Sequence, residues 1–164
     1  MKPEEIRDKL VALVGPVEYS AGPVDAAVTV PADKWHQAAE ALRREASLGF
    51  DFLRSLCGVD RPAIGKIEIV AHVFSYAHKH AIVVKTQVDR NAPSLATVSD
   101  VWPAADWHER EAFDMFGVEF AGHPDLRRIL LPEDWEGFPL RKDYQPPASY
   151  HGIPNKRPDP SEAQ

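Results

Sequence analysis

Two runs of β-branched residues separated by only three positions set the tightest limit on the fold of this chain. Ile67-Glu68-Ile69-Val70-Ala71-His72-Val73-Phe74-Ser75-Tyr76 and His80-Ala81-Ile82-Val83-Val84-Lys85-Thr86-Gln87-Val88 flank Ala77-His78-Lys79. Runs of this kind joined by so short a connection read as an antiparallel hairpin, because a parallel pair needs a crossover of a dozen or more residues. A sheet is therefore required, and other elements must cover it.

Ile6, Leu10, Leu13 and Val14 recur at helical spacing, so residues 3–13 predict a short amphipathic helix closed by Gly15-Pro16. Val17 to Ser20 and Ala26 to Val30 read as two strands joined at Gly22-Pro23. Asp33 to Ser47 reads as a stronger helix, capped by Asp33, with Trp35, Ala38, Ala39, Leu42 and Ala46 facing inward and Gly49 beyond its end. Periodicity leaves Phe50 to Leu53 open between a strand and a partly helical edge. This order gives an α+β fold, with helices packed on one face of a mainly antiparallel sheet.

The 164 residues suit a single domain that buries about 70% of the surface its unfolded chain would expose. A net charge of −6 argues against a general nucleic-acid binder, which needs a basic face. The single cysteine, Cys57, excludes an intrachain disulfide and any cluster held by three or four thiolates of this chain. Its apolar neighbours predict a small buried hydrophobe. No apolar run approaches the ~18 residues of a membrane span, and Met1 to Asp8 is too acidic for a signal or transit peptide. Membrane association is therefore expected only through partners. Composition divides the chain into one domain over residues 1–144 and an extended Pro-rich tail over 145–164, with Tyr150, His151 and Ile153 as the groups to be held.

Residues 102–144 concentrate the functional signal, holding three of the four tryptophans, four prolines and a dense set of charges. Trp102-Pro103 reads as a helix entry, with a helix from about Ala104 to Phe116 that stops at Gly117. Trp107, Glu111, Asp114, Met115 and Val118 share one face, and Arg110, Phe113 and Phe116 another, so both faces mix aromatic and charged groups. A helix with no clearly wet face implies burial on two sides. Val118 to Phe120 reads as a short strand, Gly122-His123-Pro124 as a turn and Asp125 as an N-cap. From Pro132 to Tyr144, acidic and basic clusters alternate around large apolar residues, which suits a loop pinned by charge-assisted hydrogen bonds.

Familiar catalytic devices are incomplete. His108-Glu109 opens like H-E-x-x-H, but Ala112 stands where the second histidine belongs, leaving only a loose alternative of His108, Glu111 and His123. Six residues rather than four separate Gly58 from Gly65-Lys66, and Ile67 occupies the Ser/Thr place of a P-loop. His72, His78 and His80 read as surface or strand residues.

Glu109-Arg110-Glu111, Asp114-Met115-Phe116-Gly117, Gly122-His123-Pro124, Leu126-Arg127-Arg128, Leu131-Pro132, Asp134-Trp135-Glu136-Gly137 and Pro139-Leu140-Arg141-Lys142-Asp143-Tyr144 follow one another in order. This series resembles the signature of the NADH-quinone oxidoreductase C subunit family, the 30-kDa subunit of respiratory complex I. Residues 50–101 resemble the same family more loosely, in Phe50 to Asp60, Tyr76 to His80 and Ser99 to Pro103.

The resemblance implies a non-catalytic scaffold in the peripheral arm of a proton-pumping complex. It implies a chain that binds no cofactor, with Fe–S clusters, FMN and quinone on partner subunits, packed chiefly against the quinone-site D subunit. The place implied is the cytoplasmic side of a bacterial cell membrane, with membrane association only indirect. Glu109, Arg110, Glu111, Asp114, Phe116, Gly117, His123, Pro124, Arg127, Arg128, Asp134, Trp135, Arg141, Lys142, Asp143 and Tyr144 are then the signature or interface residues. The equivalent subunit of a membrane-bound hydrogenase or other-donor complex is the alternative within this class. A metallohydrolase built on His108, Glu111 and His123 is the alternative outside it.

Overall fold

The computed structural model describes residues 1–22 and 25–155. Among them the order is α1 (Pro3–Val14), β1 (Glu18–Ser20), β2 (Ala27–Thr29), α2 (Trp35–Arg44), β3 (Phe52–Arg61), β4 (Lys66–Ser75), β5 (His80–Asp89), β6 (Ser94–Ala96), α3 (Ala105–Phe116), β7 (Glu119–Ala121), β8 (Ser149–Tyr150) and β9 (Ile153–Pro154). The hairpin demanded by the two β-branched runs forms as β4 and β5, paired from Lys66 opposite Asp89 to Ser75 opposite His80. The main sheet has the order β1-β2-β5-β4-β3, antiparallel except where β2 runs parallel to β5. This is the expected α+β class.

Alternation divides the sheet into two unlike faces. Leu56, Ala71 and Val84 lie in one cross-strand row and Gly58, Ile69 and Thr86 in the next, all pointing toward the helices. Ile6 and Leu10 of α1, Trp35 and Leu42 of α2, and Ala112 and Met115 of α3 complete this inner cluster. The opposite face carries a small apolar group of sheet residues, Ala27, Val59, Val70 and Val83, and the partly exposed rings of Phe52, Phe74 and Tyr76. Gly58 is where α3 meets the sheet: a Cβ there would lie 2.7 Å from the Phe116 ring. The glycine that looked like part of a phosphate loop is a packing residue.

Several expectations are corrected by the fold. Cys57 is exposed, because Leu56 points inward and strand alternation sends its neighbour to the uncovered face. β3 extends from Phe52 to Arg61, with a register irregularity between Leu53 and Ser55 that hides its alternation in the sequence. Asp33 lies in a 3-10 turn, Ala32–Lys34, and caps nothing through its side chain. α2 ends at Arg44 because Glu45 turns extended, so Ala46 is exposed and Leu48 takes the inward place.

The turn after α2 is fastened by two histidines of the hairpin. Nε2 of His78 donates to the Ala46 carbonyl at 2.9 Å and Nε2 of His80 donates to that of Leu48 at 2.7 Å. Burial lowers the His80 pKa. Both rings therefore hold the helix–sheet connection, and they stack on each other at 5.4 Å.

Part of the Pro-rich segment folds back on the domain. β8 and β9 form a ribbon in which the Tyr150 hydroxyl donates to Asp134 at 2.8 Å and the His151 ring meets the same carboxylate at 2.7 Å. Tyr150 is half-buried, whereas Ile153 is exposed. The rest of that segment, residues 156–164, lies outside the described residues.

Candidate functional site

The charged helix α3 is the axis of the 102–144 stretch. Pro103 sits in the turn before it, and Gly117, in the left-handed conformation at φ 73°, ends it. Glu109, Arg110 and Asp114 are buried on this helix, while Trp107 is 63% exposed and Glu111 faces solvent. The helix thus keeps a wet strip, contrary to expectation, and the charged residues rather than the tryptophan are drawn inward.

Asp114 organises the loop that follows. Its carboxylate accepts from the backbone N–H groups of Ile129, Leu130 and Leu131 at 3.0, 2.7 and 3.0 Å, and from Arg128 Nη1 at 2.8 Å. Three consecutive backbone donors aimed at one carboxylate hold the 129–131 backbone in one conformation. Burial pushes the Asp114 carboxyl up, but these hydrogen bonds outweigh it and hold the pKa below the ordinary value. No helix begins at Asp125, whose carboxylate instead accepts from Arg127 at 2.8 Å.

Glu109 ties the helix to the segment after β6, a strand that pairs in parallel with β7. The Thr97 hydroxyl donates to it at 2.5 Å and the Val98 N–H at 2.7 Å. Burial outweighs these bonds and raises its pKa to about 7. His123, its side chain fully enclosed, donates from Nε2 to the Asp106 carbonyl at 3.2 Å and accepts the Asp125 N–H on Nδ1 at 3.0 Å. That pattern is a neutral imidazole used as a brace. Among the described residues no three His, Cys, Asp or Glu side chains converge as a metal site, so His108, Glu111 and His123 are not brought together as one.

The second carboxylate anchor is Asp60 at the end of β3. Arg90 grips it through Nε and Nη2 at 2.7 and 3.0 Å, and the Lys142 N–H donates to it at 2.7 Å. The Arg90 guanidinium beside it holds Asp60 below the usual carboxylate range. Arg90 also binds Asp143 at 2.6 and 3.1 Å, so one guanidinium joins the sheet to the 138–144 loop.

Between these anchors the loop caps the end of α3. Arg141 Nε donates to the Phe116 carbonyl at 2.7 Å and the Leu140 N–H to that of Met115 at 3.2 Å, satisfying acceptors the helix end leaves open. Phe138 lies over Gly117, where a Cβ would come within 2.5 Å of its ring, and Arg141 and Arg128 flank it at 4.9 and 5.6 Å. Trp135 donates to the Tyr144 hydroxyl at 3.0 Å.

Glu109, Asp114, Phe116, Gly117, His123, Arg128, Arg141, Lys142 and Asp143 are therefore joined in one intrachain network, with Trp135 and Tyr144 paired beside it and Asp134 holding the terminal ribbon. Arg110 is buried against the Trp107 ring, and Glu111, Pro124 and Arg127 are exposed. Asp60, Arg90 and Thr97 complete the network, and no local pattern marks them. Asp60 precedes Lys142 by 82 residues, so only folding shows the pairing. Leu130 and Leu140 stay 61% and 51% exposed beside these clamps.

Comparison with known proteins places the chain in a family. Residues 28–150 match the family described as respiratory-chain NADH dehydrogenase, 30 Kd subunit. The NADH-quinone oxidoreductase C subunit of Chlorobium phaeobacteroides is 51% identical over 122 residues, 74% of each chain. The C/D subunit of the same enzyme from Phocaeicola vulgatus is 43% identical over 118 residues, which cover 71% of this chain but 22% of that longer one. A chain of the membrane-bound sulfane sulfur reductase, an archaeal respiratory membrane complex, superposes with a TM-score of 0.73 at 30% identity, covering 88% of this chain and 86% of that one. With three quarters of its length matched, the chain belongs to the 30-kDa subunit family of the respiratory-chain NADH dehydrogenases.

Proposed function

We propose that this chain is a structural and assembly subunit in the peripheral arm of a proton-translocating NADH:quinone oxidoreductase, packed against the quinone-site D subunit. The observation that carries this reading is the use made of the signature. Its buried carboxylates and arginines fix a loop over α3 and leave Trp107, Leu130 and Leu140 outside. Such groups, apolar and held in place by charge-assisted hydrogen bonds, suit a preorganised interface. The Phocaeicola relative supports the D subunit as the neighbour, because its name joins C and D in one polypeptide. A covalent link keeps two modules at high effective concentration, which suits modules that pack together.

In this reading the chain carries no cofactor, and Fe–S clusters, FMN and quinone reside on its partners. No helix among the described residues is long and apolar enough to cross a membrane, so attachment to the cytoplasmic face of the membrane runs through those partners. The likeness to the sulfane sulfur reductase chain favours a second reading, an equivalent subunit in a complex with another electron donor.

Native-gel separation of gently solubilised membranes from the source bacterium, with mass spectrometry of each band, tests both. Co-migration with NADH-dehydrogenase activity is the expected result; migration with a hydrogenase or sulfur reductase selects the second reading, and migration alone overturns both. Arg128→Ala should lower the amount of assembled complex and leave turnover per assembled complex near normal. Normal assembly with lost turnover would assign the chain a direct part in catalysis.

A further inference from the structure

Arg110 is only 6% exposed, yet its charge has no counterpart within the described chain. Its one hydrogen bond among the described residues runs from Nε to the Arg127 carbonyl at 3.3 Å, and its guanidinium lies 4.9 Å from the centre of the Trp107 ring. No ion pair to Arg110 is found among those residues, whereas Arg90 and Arg128 meet carboxylates at 2.7 and 2.8 Å. The nearby acidic groups are engaged elsewhere. Asp114 holds Arg128, Asp125 holds Arg127 and Glu109 is bound by Thr97 and Val98, while neither Asp106 nor Glu111 forms an ion pair with Arg110.

Nη1 and Nη2 of Arg110 make no hydrogen bond among the described residues and are not fully buried, so they keep an opening to solvent through which the planar fork of arginine can meet a carboxylate. The indole stacked on the guanidinium is 63% exposed. Arginine and tryptophan together form the composition that dominates protein–protein contacts.

We infer that Arg110 and Trp107 form a docking site for a partner-subunit segment that presents an aspartate or glutamate to the guanidinium and an apolar side chain to the indole. This rests on the assembly reading above and adds the chemistry of the partner. Among the described residues the guanidinium has one backbone hydrogen bond and the indole but no ion-pair partner, so its matching carboxylate is supplied on assembly.

The test compares Arg110→Gln and Arg110→Lys in the purified complex and in the isolated full-length chain. In the complex, Arg110→Gln should make the chain dissociate about thirtyfold faster or more, since losing one partner of a buried charge pair acts on the off-rate. Arg110→Lys should recover part of the loss, keeping the charge but not the fork. The isolated Arg110→Gln chain should stay folded, losing only the cation–π contact and one backbone hydrogen bond. A photoreactive residue replacing Trp107 should cross-link to a partner peptide containing aspartate or glutamate.

Unchanged dissociation, an isolated Arg110→Gln chain that no longer folds, or cross-linking to a second copy or to a peptide free of acidic residues would each overturn the inference. Those outcomes leave the assembly reading intact if the unmodified chain still migrates with the complex.

Discussion

Replacing Asp114 by asparagine tests the proposition that one carboxylate fixes the loop over α3. Oδ2 of Asp114 alone receives three backbone N–H groups, and Oδ1 receives Arg128. Asparagine keeps the shape but replaces one acceptor oxygen by a donor, so either the backbone donors or Arg128 must lose their partner. Adding four charge-assisted bonds at about 1.5–3 kcal/mol each would overstate the loss, because much of that energy offsets the burial of the carboxylate. Removing one member of a buried charged pair gives the better scale, about 3–5 kcal/mol.

The lower end applies here, because the 128–131 segment lies near the surface and can release its N–H groups to water. We therefore expect Asp114→Asn to lose about 3 kcal/mol at pH 7 in urea denaturation, with the m-value unchanged. Amides 129, 130 and 131 should lose hydrogen-exchange protection before the amides of β4 and β5 do. The pKa of Asp114 is lowered in the folded chain, so its contribution is present above the ordinary aspartate value of 3.8 and is lost as pH falls through the folded value. The difference between wild type and variant should narrow in acid. A loss below about 1 kcal/mol at pH 7, or full protection of the three amides, would refute the argument.

Glu109 should titrate with the opposite sign. Its folded pKa is raised from 4.5 to about 7, so the stability it contributes is complete below pH 4.5 and is lost as pH rises through about 7. At about 1.4 kcal/mol per pKa unit this amounts to roughly 3 kcal/mol, and Glu109→Gln, which keeps an acceptor for Val98, should flatten the stability profile over that window; an unchanged profile would contradict the assignment. Cys57 is exposed, but partial desolvation and then the Glu111 and Glu68 carboxylates raise its thiol pKa. Alkylation by iodoacetamide should go to completion in the folded chain, with a rate that rises with pH at a midpoint above that of free cysteine; a midpoint below it would show a thiolate-stabilising site.

Local pattern is enough for part of this molecule. The β-branched runs around His78 specify the central hairpin, Ile6 and Leu10 mark α1, and the stop at Gly117 places the end of α3, because periodicity and left-handed glycine conformations act over a few residues. The ordered motifs from Glu109 to Tyr144 also suffice to place the chain in its family. β3 is not legible in the same way, because the irregularity after Leu53 breaks its alternation and Gly58 and Asp60 are poor strand formers.

Which charges are buried, and why they can be, was decided by tertiary structure. The aromatics around Glu109, Arg110 and Asp114 point to an interface or a buried network, but nothing in their spacing tells whether Thr97, Val98 or residues 128–131 will arrive to meet them. Asp60 and Arg90 carry no signal at all until β3, the end of β5 and the 142–143 backbone come together. Burying a charge is favourable only with its partners in place, and those partners are supplied by chain segments far apart in sequence. The sequence by itself therefore determined most of the elements and the family, and the folded contacts determined which residues clamp the loop and which face outward.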